Sequence, residues 1–159
     1  MEPNPVNLLP ARVVELPAFE VVGICRRYDE QTSGQIPQQW QAFNQLEWFG
    51  PSMDTTYGVC FNSDGAGQMD YLTGVELVDP DLVDPNADRI TVSPQTYAVF
   101  HHPGHVSEMR WVWQAIWSGG LAQAKLTATP GMDFEKHGPT FDGQTGAGGY
   151  EVWVSIEAP

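Results

Sequence analysis

A chain of 159 residues, 42% hydrophobic and 11% aromatic, is long enough for one domain or for two small halves sharing a core, and is expected to fold. Seven Lys and Arg against twenty Asp and Glu give a net charge of −13. That balance excludes the basic patches direct nucleic-acid binding requires and repels anionic membrane surfaces.

Simple solubility accounts for the charge itself. No apolar run reaches the roughly 20 residues that span a bilayer. The opening MEPNPVNLLPARVVEL has no basic region leading into an apolar stretch. A secretory signal is therefore not expected, and the protein reads as cytoplasmic. Two cysteines, Cys25 and Cys60, are too few for a disulfide framework and are expected to be buried free thiols.

In chain order, ARVVELPAFEVVGICRRYD (11–29) is rich in Val and Ile and reads as a strand with an edge or bulge at Pro17. GQIPQQWQAFNQLEWFG (34–50) puts Ile36, Trp40 and Phe43, with Glu47 next in register, on one helical face. Pro37 is tolerable in its first turn, and Gly50-Pro51 stops it; the helix is expected over 34–48. TTYGVCFNSD (55–64) and QMDYLTGVELVD (68–79) alternate like strands around the turn signal SDGAG. The acidic, proline-containing DPDLVDPNAD (79–88) reads as a linker.

After the linker the order repeats. RITVSPQTYAVFHHPG (89–104) reads as a strand. HVSEMRWVWQAIWSGGL (105–121) reads as a helix carrying Met109, Val112 or Trp113, Ile116 and Gly120 at helical spacing. AKLTATPGMDFEKHG (124–138) and GGYEVWVSIEA (148–158) read as strands joined by the Gly-rich loop PTFDGQTGAGG. The pattern is βαββ, linker, βαββ: an internal duplication of elements without obvious residue identity.

The expected fold is α+β, a single domain over 1–159 with repeat 1 at about 11–79 and repeat 2 at about 89–158. The two units are related by a pseudo-twofold axis, with an antiparallel sheet and helices on one face. A ligand groove is expected at their junction, on the face the helices leave uncovered. In the last strand Tyr150, Val152, Val154 and Ile156 share one face, and Glu151, Trp153 and Ser155 the other. The first set is core; Glu151 with Trp153 is expected to face the groove.

These residues resemble the gyrase-inhibitor-like, or AraC-type, effector-binding domains. The likeness covers residues 11–158 and is carried by VVELPAFEVVGI, then YGVCF with MDYLTGVEL, then YAVFHHPGHVSEMRWVWQAIW, and finally MDFEKHG and YEVWVSI. It implies a duplicated βαββ fold around a central groove and the binding of small molecules. Multidrug-binding members hold lipophilic cations with an acidic residue among aromatics. On the family pattern that acid is Glu151, with Glu135 as runner-up, and Tyr71 becomes a pocket residue.

Trp153, Trp111 and Trp40 are the further candidate walls, whereas Trp113 and Trp117 are expected in the core. A desolvated carboxylate is costly alone, and a delocalised cation compensates it. With no helix-turn-helix before residue 11 or after 159, a stand-alone member is expected. Some relatives hydrolyse strained cyclopropane compounds, which leaves a second reading: Glu151 activates water with Tyr71 as acid. A third is an acidic interaction protein that modulates a partner such as a topoisomerase or a regulator.

Other motifs carry less. His101, His102 and His105 pass from a strand into a turn without a nearby Cys, so no metal site is expected. His137 is expected in a loop. The Gly-rich stretches precede strands, lack a P-loop Lys and do not cradle phosphate. No Ser–His–Asp triad can be assembled and no cofactor is expected.

Overall fold

A computed structural model of the chain describes residues 4–46, 54–82 and 84–159, with the side chain of Leu82 left aside. Its strands are β1 (Arg12–Leu16), β2 (Phe19–Tyr28), β3 (Thr56–Phe61), β4 (Met69–Glu76), β5 (Asp88–Val92), β6 (Gln95–His102), β7 (Asp133–His137) and β8 (Tyr150–Ile156). They form one antiparallel sheet in the order β1-β6-β8-β7-β3-β4-β2-β5. Helix α1 (Ile36–Asn44) lies over the first half. Helix α2 (Met109–Ala115) lies over the second, and continues through a wider turn at Ile116–Gly120 to Gln123. None of the described helices is long and apolar enough to cross a membrane.

Proline explains the least expected part of this topology. Pro17 lacks the N–H that a continuous strand would donate, so the segment expected as one strand over 11–29 breaks into β1 and β2. Ser93-Pro94 breaks 89–104 into β5 and β6 in the same way. Each short strand then pairs across the duplication: β1 joins β6, and β5 joins β2. The repeats are thus ββαββ, and the linker expected to run to residue 88 gives up its last residue to β5. The pseudo-twofold axis passes between β3 and β7, where Gly58 faces Glu135 in register.

Two further boundaries moved. The helix expected over 34–48 is helical to Asn44, and Glu47 and Trp48 lie outside the described residues. The strand expected over 124–138 shortens to β7, because Lys125 takes a left-handed conformation (φ 58°) and Pro130-Gly131 interrupts the pairing.

Strand alternation sorts the sheet into two faces. Tyr150, Val152, Val154 and Ile156 pack under α2 with Phe100, Val112 and Ile116, as the apolar alternation of β8 requires. Val22, Phe43 and Val75 pack under α1. The opposite face is not a groove. Val21, Tyr57, Val59, Leu72, Val92, Tyr97, Val99, Phe134 and Trp153 fill it as one apolar cluster, against which Val14 and Leu16 of β1 also pack. Residues from both ends of the strand order meet in that cluster, so the sheet curls toward this side and closes over it.

Candidate functional site

The open space lies on the helical face, between α1 and α2 and above the β3–β7 junction. It is a cavity of about 1240 Å³, walled by Trp40 of α1, Trp113 of α2 with Trp117 one turn beyond it, and Phe141 of the following loop. Its floor is made by β3, β4 and β7: Thr56, Cys60, Tyr71, Asp133, Glu135 and His137. The period of two places Asp133, Glu135 and His137 side by side on this face. Small-molecule sites between packed elements commonly look like this: apolar walls with a few polar groups aimed inward.

Glu135 is at the centre. The residue is 7% exposed. Tyr71 Oη donates to Oε1 at 2.6 Å, and Trp113 Nε1 donates to Oε2 at 3.0 Å. Trp40 Nε1 in turn donates to Tyr71 Oη at 3.0 Å. One indole from each helix therefore feeds the same carboxylate, one of them through a tyrosine.

Tyr71 is held from behind by the fully buried Gln39. Its amide donates to the backbone oxygens of Tyr71 and Ile24 (3.0 and 2.8 Å) and accepts from Tyr28 Oη at 2.6 Å. Gly58 makes the meeting possible. A Cβ there would sit 2.1 Å from Tyr71 Oη and 2.8 Å from Glu135 Oε1.

The electrostatics follow from burial. Desolvation pushes the Glu135 carboxyl above its usual range, against the opposing pull of the Tyr71 and Trp113 hydrogen bonds. The Tyr71 phenol is pushed well up by burial and by the adjacent carboxylate. Asp133 rises to about 6 by burial, opposed by its hydrogen bonds from Ser155. Among the described residues no Lys, Arg or His forms an ion pair with Glu135 or Asp133. Arg110 is the one Lys or Arg described in the lining, and its guanidinium stacks 4.6 Å over Trp111.

Of the residues singled out in the sequence, the structure brings Tyr71, Trp40 and Glu135 together in the cavity. Glu151 and Trp153 lie on the opposite, closed face. Glu151 accepts from Arg12 Nη2 at 2.7 Å and from Trp153 Nε1 at 3.2 Å. Trp153 is 4% exposed and stacks on Phe134 (5.2 Å, 17°). A carboxylate beside a tryptophan is here an ion-paired rim above a packed core. Glu151 and Tyr71 are on different faces of the sheet, so they cannot act as a base and acid on one substrate.

Trp111 packs at the edge of the α2 core, outside the cavity lining. The expectation that Trp113 and Trp117 are core residues is also revised: Trp113 reaches Glu135, and Trp117 is 54% exposed while stacked on Trp113 (6.3 Å, 15°). His137, expected in a loop, is a strand residue 3% exposed. Cys25 and Cys60 are free but only half-buried. Burial raises both thiols, Cys25 to about 11, which keeps them protonated and inert at neutral pH. His105 caps the turn that opens α2 in a reciprocal pair with Glu108, and His102 Nε2 lies 3.2 Å from Glu108 Oε1. Sequence inspection gave no warning of Gln39 or Gly58, and the helical spacing of Trp113 marked it only as inward-facing.

Known proteins resemble this arrangement in both sequence and fold. The profile of the Cass2 family, integron-associated effector binding protein, matches residues 12–156. The transcriptional regulator BrlR of Pseudomonas aeruginosa is 34% identical over 136 residues, which are 84% of this chain and 50% of the regulator; the chain spans about half the length of that curated relative. The solved structure of SAV2435 bound to tetraphenylphosphonium superposes with a TM-score of 0.76 at 19% identity, covering 94% of this chain and 95% of that one. The Vibrio cholerae integron cassette protein VCH_CASS2 superposes at 0.71, also at 19% identity, over 94% and 97%. The duplicated fold, the family profile and the sequence motifs agree, and the chain belongs to the integron-associated effector-binding protein family.

Proposed function

We propose that this protein binds bulky aromatic cations in the cavity between α1 and α2, with Glu135 as the counter-charge and Trp40, Tyr71 and Trp113 as walls. One observation carries the reading: Glu135 is 7% exposed, held only by neutral donors, and in no ion pair among the described residues. A buried carboxylate so placed is costly when ionised. A small, strongly hydrated cation loses too much water on entering to relieve that cost. A large cation with spread charge loses little, and each aromatic face adds about 0.5–2 kcal/mol of cation–π attraction. The tetraphenylphosphonium bound to a protein of the same fold is a ligand of this chemistry.

The test is charge selectivity at constant shape. Tetraphenylphosphonium and tetraphenylborate are nearly isosteric and opposite in charge. Titrated against tryptophan fluorescence, the phosphonium is expected to quench saturably and the borate not at all, since Trp40 and Trp113 line the site. Equal affinity for the two ions refutes the electrostatic basis of the reading.

A further inference from the structure

The β7 sequence DFEKH sends three polar side chains into the cavity, and the reading above uses only Glu135. His137 is the third. It lines the cavity two residues beyond Glu135 on the same strand face and is 3% exposed. Aromatic rings surround it: Trp40 at 5.1 Å between centroids, Phe141 at 4.4 Å and Tyr150 at 5.9 Å. Among the described residues, neither imidazole nitrogen has a hydrogen-bond partner, and neither does the hydroxyl of Tyr150, which is 2% exposed. Buried polar groups are nearly always paired, so an orphaned imidazole lining a ligand cavity, with an orphaned hydroxyl packed behind it, calls for a partner. Burial holds the imidazole down to about 4. At neutral pH the ring therefore carries one donor and one acceptor and no charge that would oppose a cation at Glu135.

We propose that His137, backed by Tyr150, is a neutral hydrogen-bonding subsite, and that the effector is an aromatic cation bearing a hydroxyl, carbonyl or amide roughly 6–7 Å from its positive charge. The spacing is that of two residues along a strand, about 6.8 Å. Glu135 sets the position of the charge, and His137 reads the polar substituent. A pure hydrocarbon cation satisfies only the first. This inference rests on the cation-binding reading and narrows its ligand class.

The experiment uses two matched probes, (4-hydroxyphenyl)triphenylphosphonium and (4-methylphenyl)triphenylphosphonium. They differ only in a hydroxyl or methyl one ring away from phosphorus. Affinities are measured by calorimetry for the wild type, His137→Leu and Glu135→Gln. The wild type is expected to prefer the hydroxyl probe by about five-fold, the scale of one well-made hydrogen bond. His137→Leu is expected to abolish that preference, bringing the ratio of the two affinities to about one. Glu135→Gln is expected to weaken both probes alike and to leave their ratio intact.

In the wild type, the histidine side-chain ¹⁵N resonances are expected to shift with the hydroxyl probe and not with the methyl probe. That measurement stands even if His137→Leu folds poorly. Equal affinities of the wild type for the two probes, or a ratio that survives His137→Leu, overturn the subsite while leaving cation binding in place. Failure of both probes to bind overturns the two readings together.

Discussion

Replacing Glu135 with Gln separates what this residue does for the ligand from what it does for the fold. The amide has the size of the carboxylate: its oxygen can accept from Trp113 while its NH₂ turns the Tyr71 contact round and donates to Oη, which leaves the Tyr71 hydroxyl proton without its acceptor. The charge is lost, and with it one acceptor. A charge-assisted contact in a poorly solvated site is worth about 1.5–3 kcal/mol, so tetraphenylphosphonium affinity should drop roughly 10- to 150-fold.

Stability without ligand should change with pH. Burial raises the folded-state pKa of Glu135, so its contribution to stability is fully present below the unfolded-state pKa and is lost as pH rises through the folded-state value. As pH rises the wild type takes on this ionisation penalty and Glu135→Gln does not. The variant's melting temperature relative to the wild type should therefore be highest at pH 8 and should fall on acidification as the wild-type carboxyl protonates. Thermal melts across pH 5–8, paired with fluorescence titrations, make the measurement. Unchanged cation affinity, or a variant that melts lower by the same amount at every pH, refutes the reasoning.

Gly58→Ala should push a methyl against Tyr71 Oη, since the Cβ position is 2.1 Å away. The expected cost is about 1–3 kcal/mol of stability, with weaker cation binding; an alanine variant with wild-type melting and affinity contradicts the packing account. Glu151→Gln removes an ion pair whose arginine is 53% exposed, so stability should change by no more than about 1 kcal/mol and calorimetric cation affinity should stay within two-fold. Asp133, raised to about 6, favours the fold as pH falls, whereas His137, lowered to about 4, disfavours it as pH falls below about 6.5. The two oppose each other in the wild type. Denaturant titrations of His137→Leu at pH 7 and 5 should therefore show a variant that gains more stability on acidification than the wild type does.

Periodicity carried the duplicated architecture well, because each helix and hairpin advertises its buried face locally. Ile36, Trp40 and Phe43 sit at helical spacing, and SDGAG marks a turn between alternating runs. Proline was legible as an interruption but not as a change of partner: nothing local to Pro17 says that β1 pairs with a strand some eighty residues away. The site divides along the same line. Alternation correctly grouped Glu151 with Trp153, but it missed that β7 runs on to His137, expected in a loop, and so sets that residue beside Glu135. It cannot say which face of a curled sheet closes on itself and which stays open under the helices, because that depends on how all eight strands bend together. Trp113 looked like core for a related reason. Helical spacing marks it as inward-facing, and inward here means the rim of a cavity. Gln39 and Gly58 were silent because their importance lies in what stands opposite them.

The exchange of β1 and β5 between the repeats also shapes how the molecule reaches its fold. The first repeat cannot complete its own sheet: β2 lacks its outer neighbour until β5 exists, and β1 has no partner until β6 does. Assembly must therefore close long loops before either half gains its edge, the signature of a high contact order and a slow search. Once closed, the halves are clasped from both ends of the sheet and resist being pulled apart at the β3–β7 seam. The seam carrying Glu135 is then a rigid bed, and on the proposed function adjustment to ligands of different shape would fall to the two helices that rest on it.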